Sequence, residues 1–318
     1  MKARSLKAAI AFYLASRRHL GFALQSEGAL LENLLDYAQE VHHRGPLSTD
    51  LALNWAQVPS PDHRQQRARR LEAVRHFALF WRAFDPRTQV PPAGLFGPAY
   101  ARRGAVHIYT PQEIASLLAS ARQLPAPETL RPLTFSTLLG LLSCTGLRIS
   151  EALQLELADW QSADAVLTIR QTKFGQSRYV PLSGSAAVAL NTYLRARTQA
   201  FPKAKSCALF LNPEGQRFTY RQAGKTFAAL RTQLGWQDKQ PCPRLHDLRH
   251  TFAVNSLMSG YRKGQQELNT KILSLAVYLG HRNIRHTYWY LSAVPQLLAL
   301  GSARWAQALQ PQKGAAHE

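Results

Sequence analysis

Arginine, lysine, histidine and tyrosine can together handle a phosphodiester without a metal ion, and this sequence gathers them in four short stretches. TGLRISEAL carries Arg148, and TKFGQSRYVPL carries Lys173. LHDLRHTFA carries His246, Arg249 and His250, and LGHRNIRHTYWYL carries His281, Tyr288 and Tyr290. Taken singly, each has an ordinary structural reading: a surface ion pair for the arginine, a solvated charge for the hairpin lysine, helical histidines bracketing a salt bridge. Taken together they make a set for phosphoryl transfer. Arginine forks hold nonbridging oxygens and stabilise charge as phosphorus becomes pentacoordinate. Histidines donate hydrogen bonds and move protons, a lysine can protonate a departing alkoxide, and a tyrosine can be the covalent nucleophile.

A zinc reading of HDLRH has less behind it. His246 and His250 stand four apart and share a helical face, but Asp247 replaces the glutamate a zinc protease uses, and no third ligand is signalled nearby. Composition favours a nucleic-acid partner: 39 Lys and Arg against 19 Asp and Glu give a formal net charge of +20, a surplus that attracts polyanions. The three cysteines, Cys144, Cys207 and Cys242, form no paired motif, so neither a disulfide framework nor a zinc module is indicated and a reducing cytoplasm fits. The N-terminal apolar run is closed by Ser16, Arg17 and Arg18, too short for a bilayer, and reads as an amphipathic helix rather than a signal peptide.

These side chains need a scaffold, and the apolar pattern describes one that is mainly α with a small antiparallel β-sheet. From Ser5 to about Phe84 apolar residues recur at helical spacing, as in Leu30, Leu31, Leu34, Leu35 and Ala38, which predicts an all-helical first domain at about 1–100. Its last helix, from Arg64, is arginine-rich at the start and aromatic at the end, predicting a phosphate-facing half and a core half. Proline and glycine between Asp85 and Gly104 break the pattern and mark a linker. TPQE at Thr110–Glu113 then spells a capping box that opens a second domain at about 105–318. Leu133 to Leu142 is a nearly unbroken apolar run and predicts a buried helix, with a turn at Thr145 and Gly146 and a new helix near Ser150. AVLTIRQTKFGQSRYVPLS alternates on both sides of Gly175 and predicts a β-hairpin. Helical pattern dominates thereafter.

The four stretches, in this order, resemble the boxes of the tyrosine recombinases of the phage-integrase family, strongly from Thr110 to Leu291 and loosely in the helical N-terminal part. The resemblance implies a helical core-binding domain and a catalytic domain. It makes Arg148 and Arg249 phosphate clamps, Lys173 the general acid for the 5′-hydroxyl, His246 a proton handler, His281 a phosphate hydrogen-bond donor and Tyr290 the nucleophile. It also implies a 3′-phosphotyrosyl intermediate formed without metal, ATP or other cofactor, a double-stranded DNA partner, and a tetramer joining two sites through a Holliday junction. Two features depart from the family pattern. Tyr261–Ile272 looks like an extension between the second and third boxes, and the N-terminal domain matches by pattern only. No extra N-terminal DNA-binding segment is evident, which leans away from the larger phage integrases.

Helical geometry offers a separate view of the two tyrosines. Ile284, Tyr288 and Leu291 lie at i, i+4 and i+7 and predict an apolar stripe with Tyr288 in the core. Tyr290 then points roughly 200° away, at about 100° per residue, toward different surroundings. In the C-terminal stretch PQLLALGSARWAQALQ, Leu297, Leu298, Leu300 and Trp305 form an apolar face that could dock on a neighbouring protomer or on its own domain. Three rival activities are compatible with the residues: a type IB topoisomerase, a DNA-binding regulator with an inactive catalytic domain, and a metal-dependent nuclease.

Overall fold

The computed structural model describes residues 5–58, 63–97, 105–126, 129–170, 177–263, 265–281 and 283–293, with residues 298, 299 and 302. The chain divides into two compact units, Met1–Gly104 and Ala105–Glu318. Among the described residues no helix is long and apolar enough to cross a membrane.

The first unit holds α1 (Leu6–His19), α2 (Gln25–Glu40), α3 (Thr49–Gln57) and α4 (Arg64–Trp81). Ser5 and Ser48 cap α1 and α3 by accepting the backbone N–H of Ala8 and Leu51, which pairs donors that would otherwise be left over at the helix starts. Ile10, Leu14, Leu31, Leu34, Trp55, Val74 and Phe77 close the core. The arginines of α4 also serve their own unit. Arg64 donates to the carbonyl of Phe96, Arg70 to that of Trp55 and Arg75 to that of Pro91, so much of this charge ties the helix to its own unit. Arg70 also lies over the Trp55 ring, 4.7 Å from its centroid, and shares Asn33 Oδ1 with the indole N–H. The long aliphatic stems and planar heads of arginine let one residue satisfy carbonyls and cover apolar surface at once.

The second unit opens with α5 (Pro111–Arg122), where Thr110 Oγ1 accepts the N–H of Glu113 and the Glu113 carboxylate accepts that of Thr110. The apolar run becomes α6 (Arg131–Thr145), buried on nearly all sides. After α7 (Ile149–Gln154) come three short strands, β1 (Trp160–Gln161), β2 (Val166–Ile169) and β3 (Arg178–Pro181). They form an antiparallel sheet in the order β1-β2-β3, with Leu167 opposite Val180 and Ile169 opposite Arg178. The alternation around KFGQ thus marks β2 and β3, while β1 is too short to show a period. Lys173 and Gly175, in the connection between β2 and β3, lie outside the described residues, as do the last part of the linker and most of the C-terminal stretch containing Leu297 and Trp305.

α8 (Gly184–Ala200) and α9 (Tyr220–Gln233) complete a core built around Phe135, Leu138, Tyr193, Phe210 and Leu230. The last described helices are α10 (Leu245–Lys263), α11 (Gln265–Leu279) and α12 (Arg285–Ala293). They share a smaller cluster of Ala253, Val254, Leu257, Ile272, Leu275, Leu279 and Tyr290. The Tyr261–Ile272 segment therefore spans the end of α10 and the first half of α11.

Candidate active site

Two glycines shape the site. Gly146 ends α6 at φ +63°, a left-handed conformation that costs a side-chain-bearing residue strain. A Cβ there would stand 2.5 Å from Phe252 Cδ1 and 3.2 Å from Leu279 Cδ2. Gly280 ends α11 at φ +65°, and the following N–H of His281 bonds back to the Ala276 carbonyl, closing a Schellman-type cap. A Cβ at Gly280 would crowd Arg178 Nη1 at 3.1 Å. Both turns release backbone carbonyls from helical bonding, and both present them to arginine. Arg249 donates to the Gly146 carbonyl at 2.8 Å and to the Leu279 carbonyl at 2.7 Å. Arg148 donates to the Gly280 carbonyl at 3.4 Å.

Arg148 is the N-cap residue of α7, in extended conformation. Its backbone N–H and its Nη1 both donate to Glu151, at 3.0 and 2.6 Å. Glu151 is buried and accepts also from Arg178 Nη2 at 2.7 Å and Nη1 at 3.3 Å, so two arginines from different elements grip one carboxylate. Burial alone would raise the pKa of Glu151. The hydrogen bonds and charge of Arg178, with the backbone N–H and charge of Arg148, outweigh it and hold the carboxyl below its ordinary value. Arg249 is 3% exposed, and burial, followed by the charge of Arg148, lowers its pKa to about 10. It remains a cation at neutral pH. Arg148, Glu151, Tyr290 and Arg178 all lie close enough to act electrostatically on it, so α6–α7, β3, α10 and α12 converge on one cluster.

His246 and His250 lie one turn apart on α10, their rings meeting edge to face at 4.8 Å. His246 has surface open to solvent, yet desolvation by the crowding protein, then the charge of Arg249, depress its pKa to about 4, leaving the imidazole neutral at pH 7. Asp247 is turned away from the cluster: fully buried, it accepts the backbone N–H and the guanidinium of Arg244. His281 Nδ1 lies 2.8 Å from Thr287 Oγ1 of α12. Tyr290 Oη, on the same helix, and His250 Nδ1 are 2.9 Å apart.

The structure brings Arg148, His246, Arg249 and Tyr290 into one neighbourhood, with His281 entering directly after the Gly280 turn that receives Arg148. It corrects the expected faces of α12. Tyr290 is 2% exposed and packs with Val254, Leu257 and Leu275, whereas Tyr288 is 48% exposed. The buried side of the helix runs through Thr287, with Ile284 and Leu291 partly covered beside it. A polar Thr287 marks its centre because its hydroxyl is paired with His281, and an apolar count has no place for a satisfied threonine. Two further participants, Glu151 and Arg178, stand outside the set that the sequence motifs indicate, and His250, named there with HDLRH, receives no role from the family likeness. Glu151, three residues after Arg148, carries the capping-box signal that would have found it. His250 shares a helical face with His246, but Arg178 offers no local signal, since its partner lies across the fold.

Comparison with known proteins gives concordant results. Residues 108–296 match the phage integrase family. The chain is 40% identical over 302 residues to a putative integrase/recombinase, y4rB, of Sinorhizobium fredii (strain NBRC 101917 / NGR234), covering 92% of this chain and 95% of the relative. It is 31% identical over 242 residues to the tyrosine recombinase XerD of Caulobacter vibrioides, covering 73% and 72%. Among solved structures, the Tn1549 transposon integrase in complex with circular intermediate DNA aligns with a TM-score of 0.65 at 19% identity, over 96% of this chain and 100% of that one. A lambda integrase dimer bound to a COC′ core site aligns at 0.62 with 14% identity, over 92% and 79%. At such identities the structural likeness speaks for the fold.

Proposed function

The chain belongs to the phage integrase family and is a tyrosine-type site-specific DNA recombinase, and from that premise we propose that it cuts and rejoins duplex DNA through a 3′-phosphotyrosyl bond formed by Tyr290. The tyrosine oxygen attacks the scissile phosphorus, the bond to the 5′ oxygen breaks, and a free 5′-hydroxyl is left. The hydroxyl of a second duplex reverses the step and joins the strands. The phosphodiester energy is kept in the protein–DNA bond, so neither ATP nor a metal ion enters the scheme.

Arg148 and Arg249 clamp the nonbridging oxygens. Each guanidinium spends part of its five-donor fork on backbone carbonyls or Glu151, which fixes its plane while leaving N–H groups over for phosphate. His246 and His281 add hydrogen bonds to the phosphate, His246 as a neutral imidazole, and Lys173 protonates the leaving 5′ oxygen. The unit from residue 1 to about 100 is the core-binding domain, and the second unit is the catalytic domain. The net charge of +20 serves the contact of both with the DNA backbone. Four protomers on two sites exchange strands through a Holliday junction.

The observation that carries this reading is the meeting of Tyr290 with His250 beside the Arg148–Glu151–Arg249 cluster. The test uses a pool of nicked duplexes with randomised arms, from which covalent adducts are recovered and the DNA sequenced. A site-dependent adduct from the wild type and none from Tyr290→Phe is expected. Relaxation of a plasmid bearing two recovered sites without any recombinant product would favour a topoisomerase instead, and loss of activity in EDTA would favour a nuclease.

A further inference from the structure

We infer that His250 accepts the phenolic proton of Tyr290 as the phosphotyrosyl bond forms, an inference that rests on Tyr290 being the nucleophile. The Nδ1 to Oη separation of 2.9 Å lies within the reach required for direct proton transfer. The imidazole is held for this task. It is buried, the Tyr290 and Trp289 rings pack on it with centroids at 5.5 and 5.6 Å, and the His246 ring abuts it from the preceding turn at 4.8 Å. The other two histidines of the site are engaged differently: His281 Nδ1 meets Thr287, and the ring of His246, expected from the family likeness to handle a proton, meets His250 and not Tyr290. A division of labour follows, in which His246 and His281 address the phosphate and His250 addresses the nucleophile.

The atoms balance as follows. His250 enters with its hydrogen on Nε2 and a lone pair on Nδ1. The Oη–P bond forms, the Oη proton moves to Nδ1, and the P–O5′ bond breaks with its electron pair leaving on O5′, which takes a proton from the general acid. His250 ends the step as an imidazolium. On religation the incoming 5′-hydroxyl loses its proton to the former acid, and His250 returns one to Oη.

The duplex recovered from the randomised pool serves as the probe, in the full-length protein. His250→Asn keeps a polar atom near the Nδ1 position that can hydrogen-bond to the phenol but cannot take up a proton. His250→Asn and His250→Ala are both expected to slow adduct formation by ~10²–10⁴-fold, the usual worth of a positioned proton acceptor, with duplex binding in mobility-shift assays unchanged. A second duplex carries sulfur in place of the bridging O5′, and its thiolate departs without a proton. The His250→Asn loss is expected to persist on it, while a Lys173→Ala loss shrinks. Wild-type rates in His250→Asn would overturn the inference and leave a hydrogen bond that only aims the tyrosine. Disappearance of the His250→Asn loss on the sulfur duplex would also overturn it, since His250 would then serve the leaving group. Should His250→Ala fail to fold, the Asn variant carries the test. Absence of any Tyr290 adduct from the wild type overturns the nucleophile reading and this inference together, whereas a normal wild-type adduct with an unimpaired His250→Asn overturns this inference alone.

Discussion

Replacing Gly146 by alanine tests how tightly the fold builds the carbonyl platform for Arg249. The new Cβ meets two costs. The left-handed conformation at φ +63° costs a side-chain-bearing residue ~1–2 kcal/mol. Contact at 2.5 Å with Phe252 Cδ1 and 2.9 Å with Cγ forces a packed ring to move, an overpacking cost of ~1–3 kcal/mol. Phe252 has little freedom to yield, because it stacks on Tyr278 with centroids 5.5 Å apart, and Leu279 closes a second side at 3.2 Å. The sum, ~2–5 kcal/mol, corresponds to a fall of ~4–20 °C in the melting of a unit of this size. Gly235→Ala is the control: its φ is +66°, but nothing lies within 4 Å of where its methyl would stand, so only the backbone cost of ~1–2 kcal/mol applies. Calorimetry on wild type, both single variants and Gly146→Ala/Phe252→Ala measures the difference. Gly146→Ala is expected to melt below Gly235→Ala, and the double variant to lose less than the sum of its parts by at least ~1 kcal/mol. If Gly146→Ala melts no lower than Gly235→Ala, Phe252 gives way freely and the steric reasoning is wrong.

Other substitutions probe the charges around this platform. Glu151→Gln removes the carboxylate shared by Arg148 and Arg178, and a loss of ~3–5 kcal/mol at pH 7 is expected in urea titrations. Because the Glu151 pKa is lower folded than unfolded, its stabilisation is full above about pH 4.3 and is lost as pH falls through the folded value, so the gap between the two proteins should narrow as the pH is taken into the acid range. His246 likewise titrates low in the folded state, at about 4 against about 6.5 unfolded. The unfolded chain then binds the extra proton between those values, so wild-type stability should rise with pH across that window and His246→Gln should flatten the rise; an NMR titration showing His246 protonated at pH 6 would contradict this. In the first unit, Arg70→Ala loses two hydrogen-bond partners and the Trp55 stack, and ~1–3 kcal/mol of destabilisation is expected by thermal melting, against less than ~0.5 kcal/mol for the exposed Arg69→Ala.

Local chemistry is readable from the sequence where the signal and its partner sit within one turn. Thr110 and Glu113 cap each other, the Leu133–Leu142 run carries no charged residue and forms a buried helix, and β2 and β3 alternate. Features that depend on distant partners are not readable. The ties of Arg64 and Arg70 to their own unit are invisible in the sequence because the carbonyls they serve lie 32 and 15 residues away. Arg178 meets Glu151 only after β3 folds against α7, 27 residues back in sequence. The two tyrosines show the same limit at short range: apolar spacing favours Tyr288 for the core, whereas the face is decided by Thr287 bonding to His281 and by Tyr290 meeting His250 from α10. The burial of Tyr290 thus leaves family likeness and polar geometry, rather than helical phase, as the grounds for choosing it.

The most direct measurement traps the covalent adduct on a nicked duplex, digests protein and DNA, and locates the nucleotide-bearing residue by mass spectrometry, with Tyr290→Phe and Tyr288→Phe run beside the wild type. The expected result is a nucleotide on Tyr290 in the wild type and in Tyr288→Phe, and no adduct in Tyr290→Phe. An adduct on Tyr288, or one that survives Tyr290→Phe, would contradict the assignment of the nucleophile.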